Sequence, residues 1–231
     1  MSKFFNLNNP IVNFLGRITD IMILNILTVL LCIPVVTAGA AITADYYCCL
    51  KIRRDEDSGI IKMYFRSFRE NFRQSTILFF IILFLMMIPT FMLYVVLNAY
   101  GEAAPSYIKI MLAMAILTVS FLTIMVFPVQ SRFSNTVFNT IKSSVILAFS
   151  NPFRTLLIIV ITVAPFVFAW LYIMFLPVMI LFGISVPAFI SVMLYNKTFL
   201  KMEKAANEAF GVPEPGSDDE HIFVENNDSK S

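Results

Sequence analysis

The sequence predicts an all-α fold: a polytopic transmembrane bundle of about six helices with cytoplasmic amphipathic helical extensions. Three observations carry that expectation. Residues 75–98 read STILFFIILFLMMIPTFMLYVVLN, without one charged side chain. At about 1.5 Å per residue such a helix crosses a hydrocarbon core of roughly 30 Å, and similar blocks recur at 110–130, 155–175 and 177–195. The whole chain of 231 residues is 58% hydrophobic and 14% charged, where soluble domains average about 45–50% and about 25%. Finally, the cations cluster in alternate linkers, as the positive-inside rule requires of a multi-pass protein.

The first apolar run begins near Ile18 and continues past Leu50, too long for one crossing. Pro34 and Gly39 are where it can break. We expect a helix over 11–33, a sharp turn over 34–38 and a shorter helix over 39–53. The stretch before Ala38-Gly39-Ala40 is too long and too apolar for the leader of a signal peptide, so the first helix is read as a retained span. Asp45 is the difficulty in the second helix. A carboxylate at mid-bilayer costs about 2.5–3.5 kcal/mol on insertion scales. It must face other helices or a wet cavity, or the helix must ride near the surface.

The next linker carries Lys51, Arg53, Arg54, Lys62, Arg66, Arg69 and Arg73. Within it Ile61, Tyr64, Phe65, Phe68 and Phe72 fall at helical spacing, with Lys62, Arg66, Arg69, Glu70 and Arg73 on the other face. This predicts an interfacial amphipathic helix running into the span at 75–98. The linker over 98–107 has no basic residue, and neither has the connection around Leu176. Arg132, Lys142 and Arg154 mark the next basic linker, which holds a second stripe of Phe133, Val137, Ile141, Val145 and Phe149. Lys197, Lys201 and Lys204 follow the last block. These placements put the basic linkers and the C-terminus in the cytoplasm. Six spans leave only Lys109 outside; five would also place Lys3 and Arg17 there, so six is preferred.

Residues 1–210 are thus expected to form the helical membrane domain. They hold 16 of the 17 Lys and Arg against 9 of the 15 Asp and Glu, a net +7. Residues 211–231 hold one Lys and six acids, a net −5, and are expected to form a disordered acidic cytoplasmic tail. The lipid bilayer is the first partner, its anionic headgroups meeting the basic side.

Chemistry-bearing motifs are sparse. The chain has no P-loop, GxGxxG, GxSxG or HExxH, and its one histidine, His221, lies in the tail. Cys32, Cys48 and Cys49 form no CxxC pair and read as small buried hydrophobes. No cofactor, metal, catalytic residue or nucleic-acid partner is expected. The candidate functional residues are polar or small groups in or near the first spans: Arg17, Asp20, Asn25, Thr37, Gly39, Thr43 and Asp45. Arg17 and Asp20 are three apart and can pair on one helix face. The others surround the Pro34 break. A break exposes backbone groups able to grip a polar substrate; the competing reading is interhelical hydrogen bonding with Gly and Ala permitting close approach. Pro89, Pro165 and Pro187 read as packed kinks.

Several of these residues form a pattern: Asn9-Pro10, Arg17-x-x-Asp20, Leu24-Asn25, Pro34-x-x-Thr37-x-Gly39, Thr43-Ala44-x-Tyr46-Tyr47 and Phe65-x-x-Phe68-x-x-Asn71-Phe72. The pattern resembles the YesL-like family of bacterial integral membrane proteins, mostly Gram-positive; Asp45 departs from it, where an apolar residue is expected. The resemblance implies a bacterial plasma membrane and, through the genes its members accompany, a part in sugar acquisition; it supplies no catalytic residues. Two functions are weighed. One is an accessory or regulatory component of carbohydrate uptake acting with ABC transporter subunits. The other is a small transporter or channel in its own right, with a homo-oligomer compatible with either.

Overall fold

The computed structural model describes residues 10–54, 59–103, 105–132, 136–150 and 152–196, apart from the side chains of 10–13 and 102. The acidic tail, Lys3, Asn9, Phe133 and the lysines after Asn196 therefore lie outside the described residues.

The chain is a helical bundle, as its composition predicts. In order it forms α1 (Pro10–Cys32), α2 (Val35–Arg53), α3 (Ile60–Ala99), a 3₁₀ turn (Gly101–Ala103), α4 (Ser106–Arg132), α5 (Val137–Ser150), α6 (Pro152–Leu171), a second 3₁₀ turn (Ile173–Phe175) and α7 (Leu176–Phe182). Then follows α8 (Ser185–Asn196). Among the described residues five helices are long and apolar enough to cross a membrane, α1, α2, α3, α4 and α6; α7 and α8, bent by 54°, make a sixth span if taken together. The chain is a multi-pass membrane protein with five or six crossings.

Pro34 ends α1, because a residue preceding proline is driven out of the α region. The turn is shorter than expected, however. Helix resumes at Val35 rather than Gly39, since the Thr37 hydroxyl reaches back to the carbonyls of Leu31 and, at 2.7 Å, Pro34. The bond to Leu31 satisfies an acceptor that the end of α1 leaves open. Gly59, at φ 82°, starts α3, and Gly101, at φ 51°, follows it; both occupy the left-handed region.

The last span breaks where Pro187 requires it. In a continuous helix its ring would strike the carbonyl of residue 183. The chain instead turns at Gly183 and restarts at Ser185, which puts Pro187 in the first turn of α8. There a missing N–H costs nothing, because first-turn amides have no partner within the helix. Residues 177–195 are therefore two half-helices, and Pro187 is the cause of a break rather than a kink inside one helix.

α2 is the hub. It packs against α1, α3 and α4, and Ala38, Ala40, Ala41, Ala44, Cys48 and Cys49 are all buried. Its small side chains let neighbouring backbones approach. At Gly39 a Cβ would fall 2.7 Å from Phe79 Cβ and nearer still to Ser75 O. α2 lies along the first half of α3 only, and α3 buries Ile60, Tyr64, Ser67, Ser75, Leu78 and Ile82.

The amphipathic segment runs unbroken into the span, as expected, and its aromatic stripe is not the face that packs on the bundle. Of the aromatic stripe, Tyr64 is buried and Phe68 packs on the core, while Ile61, Phe65 and Phe72 are exposed. The buried face carries Ser67 and Ser75 instead. α5 does the same: Thr140, Ser144, Leu147 and Ala148 are buried while Phe149 is exposed. Lipid is as apolar as a core, so small and polar residues, not Phe, mark the packed face.

Helix order sorts the two ends. Lys51, Lys62, Arg132 and Arg154 stand at one, Tyr100, Tyr107, Trp170 and Tyr172 at the other. These four aromatics are exposed, as in an interfacial belt. Lys109, at that second end, donates to Gly101 O at 2.8 Å and closes the turn after α3.

Candidate functional site

Asn25 and Asp45 meet at the break between α7 and α8. Asn25 is wholly buried on α1. Its Nδ2 donates to Ile180 O at 2.7 Å, an open carbonyl of α7, and lies 3.3 Å from Met179 O, which already accepts from Gly183 N at 2.7 Å. Its Oδ1 accepts from Ile184 N at 2.7 Å and Ser185 N at 2.8 Å, the open amides of α8. One amide thus bridges a C-terminus and an N-terminus that the break leaves unsatisfied. A neutral group with two donors and two acceptor sites suits that task; an alcohol or carboxylate offers too few donors.

Asp45, on α2, approaches the same break from another side. Ser185 Oγ donates to Asp45 Oδ1 at 2.6 Å, and Cys49 Sγ lies 3.8 Å from Ser185 O. Asp45 is fully buried, and its Oδ2 has no hydrogen-bond partner. Among the described residues no basic side chain forms an ion pair with it. The sequence left open whether the second helix buries this residue or rides near the surface; the structure buries it.

A second seam joins α2 to α3. The Thr43 hydroxyl lies 2.8 Å from Gly39 O and 2.9 Å from Ser75 Oγ. Tyr64 OH donates to Ala41 O at 3.2 Å and is 3.1 Å from Thr28 Oγ1, so one phenol ties α3 to α2 and α1. Tyr64→Phe is expected to keep the fold and cost about 1 kcal/mol, because the ring still fills its place and only the two hydrogen bonds go. Unfolding of the detergent-solubilised chain with increasing SDS fraction measures it; no shift would mean the phenol is not part of the seam.

A third seam runs from α3 to α5. Gln130 Nε2 lies 3.4 Å from Asn71 Oδ1, and Thr140 donates to Gln130 Oε1 at 3.0 Å. A fourth closes the basic end, where Thr155 Oγ1 donates to Ala148 O at 3.0 Å and meets the Tyr195 hydroxyl.

The seven sequence candidates therefore separate. Asn25 and Asp45 share the α7–α8 break, Gly39 and Thr43 share the α2–α3 contact, and Thr37 closes the first turn. Arg17 and Asp20 stand partly buried in the first half of α1, and none of the bonds at the break involves them. Sequence reasoning missed Ser185 and the backbone of residues 179–184. Pro187 and Gly183 were the available signal, because together they make a break in an apolar run. Among the described residues no group of three His, Cys, Asp or Glu side chains is placed to hold a metal ion.

A profile of the family described as "Protein of unknown function, DUF624" matches residues 21–94, which contain α2, Asn25, Asp45 and the whole α2–α3 seam but not the α7–α8 break. No curated protein and no solved structure matches the chain.

Proposed function

We propose that this multi-pass protein is an accessory or regulatory component of carbohydrate uptake, acting with an ABC transporter in a bacterial, Gram-positive plasma membrane. One observation supports an accessory role over a solute path. Apart from Asp45 Oδ2, the polar groups at the broken helix are spent on each other, four hydrogen bonds going to Asn25 alone. Such a splice makes a rigid helical unit whose outer faces stay open to lipid or to a membrane partner. The match over 21–94 supports an uncharacterised family, and the YesL-like pattern adds the link to sugar acquisition as analogy. In this reading the basic end faces the cytoplasm, with the C-terminus on that side. No catalytic role is part of it.

Affinity purification of the full chain from native membranes is expected to recover subunits of a carbohydrate ABC transporter, and deletion to lower uptake of its sugar. A lone chain, with uptake unchanged on deletion, would sink the reading.

A second reading, transport in its own right, draws on Asp45. An intramembrane carboxylate with one oxygen unpartnered is a functional candidate by default. Purified protein in liposomes would then pass a solute, and Asp45→Asn would change the flux. Vesicles tight to a broad panel of sugars and ions would remove it.

A further inference from the structure

α3 carries a second ordered face, opposite the one that packs on α2. At about 100° per residue, Lys62, Arg66, Arg69 and Arg73 fall on one stripe, about 180° from Tyr64, Ser67, Ser75 and Leu78. All four cations are exposed. Glu70 lies 3.0 Å from Arg66, an exposed pair. Among the described residues Arg69 and Arg73 form no ion pair.

The same face continues past Arg73 as an apolar groove lined by Thr76, Ile77, Phe80, Ile81, Phe84 and Leu85. Phe80 and Phe84 continue the angular position of the arginines, about two and three turns beyond Arg73. α3 is unbroken through this junction, so the cations stand within about 20 Å of Ser75, on the approach to the charge-free segment. Cations at headgroup depth and a groove at acyl depth, on one helix face, match one class of ligand. It has an anionic phosphate head and a hydrocarbon tail.

We propose that this face of α3 binds one anionic phospholipid, with its phosphate between Arg69 and Arg73 and an acyl chain along the groove over 77–85. The groove alone fits any lipid; the two unpaired arginines select the charge. A free phosphate would meet the same arginines but leave the groove unused.

The test uses the full chain in phosphatidylcholine vesicles doped with phosphatidylglycerol. Trp170→Phe with Phe84→Trp places the sole tryptophan in the groove. Phosphatidylglycerol with brominated acyl chains is expected to quench it at a lipid fraction on the order of tenfold lower than brominated phosphatidylcholine needs. Arg69→Gln with Arg73→Gln is expected to erase that difference, and so is high salt on the charge-intact chain. Inorganic phosphate should leave quenching unchanged. Equal quenching by both lipids in the charge-intact chain, survival of the difference in the arginine variant and in high salt, or displacement by inorganic phosphate would each overturn the proposal.

Discussion

Asn25→Ala is expected to destabilise the protein by about 2–4 kcal/mol, among the largest effects of any single polar substitution in the bundle. The amide serves two carbonyls of α7 and two amides of α8. Each buried backbone group left unpaired costs about 1–3 kcal/mol in soluble proteins. Side-chain bonds within membranes average only about 0.6 kcal/mol, because the separated helices find other partners. Here Ile180 O and the amides of Ile184 and Ser185 sit at a break without partners in their own helices, while Met179 O keeps Gly183 N, so the larger scale applies to part of the loss. Unfolding in mixed micelles reads the change. Asn98→Ala is the control, since that amide bonds only Tyr94 O on an exposed turn; it should shift stability by no more than about 0.5 kcal/mol. Asn25→Asp keeps the acceptor for Ile184 and Ser185 but sets a carboxyl oxygen against the carbonyls of Ile180 and Met179, and should cost at least as much as Asn25→Ala. An Asn25→Ala chain as stable as the parent would show that the break does not depend on the splice.

Gly39→Ala and Gly16→Ala are expected to move stability in opposite directions. A methyl group at Gly39 meets Ser75 O and Phe79 Cβ, both on the rigid part of α3. α2 must then move off α3, disturbing the Thr43–Ser75 contact and the Tyr64–Ala41 bond as well. Overpacking of this kind costs about 1–3 kcal/mol, and Gly39→Leu should prevent folding. At Gly16 nothing lies within 4 Å of the added carbon. There alanine should gain up to about 1 kcal/mol from helix propensity alone. The same micelle unfolding compares them. Equal responses at the two positions would mean that α2 and α3 are not in close contact.

These two predictions show where the sequence was legible. Asn25 stood out as an amide inside an apolar run, and Gly39 as a small residue near a proline. Their partners did not. Ser185 is separated from Asn25 by 160 positions, and nothing local joins them. The amphipathic segment before 75–98 shows the same limit differently. Its aromatic stripe was visible, yet Phe65 and Phe72 are exposed while Ser67 and Ser75 are buried. Pro187 was visible too, but whether it kinked or broke a helix depended on a polar group arriving to serve the freed backbone.

The long apolar helices and the segregation of charge followed from the chain's own order of residues. Each rests on a local and additive quantity: the transfer of side chains to hydrocarbon and the placement of cations near an anionic leaflet. Which helix faces meet was decided only in three dimensions. Inside a bilayer an apolar side chain is equally at home against lipid or protein, so hydrophobicity cannot report rotation about the helix axis. Rotation is set instead by where a few polar and small groups find each other. Asn25 at the α7–α8 break and Gly39 against Ser75 are those meetings, and both join segments far apart in the chain.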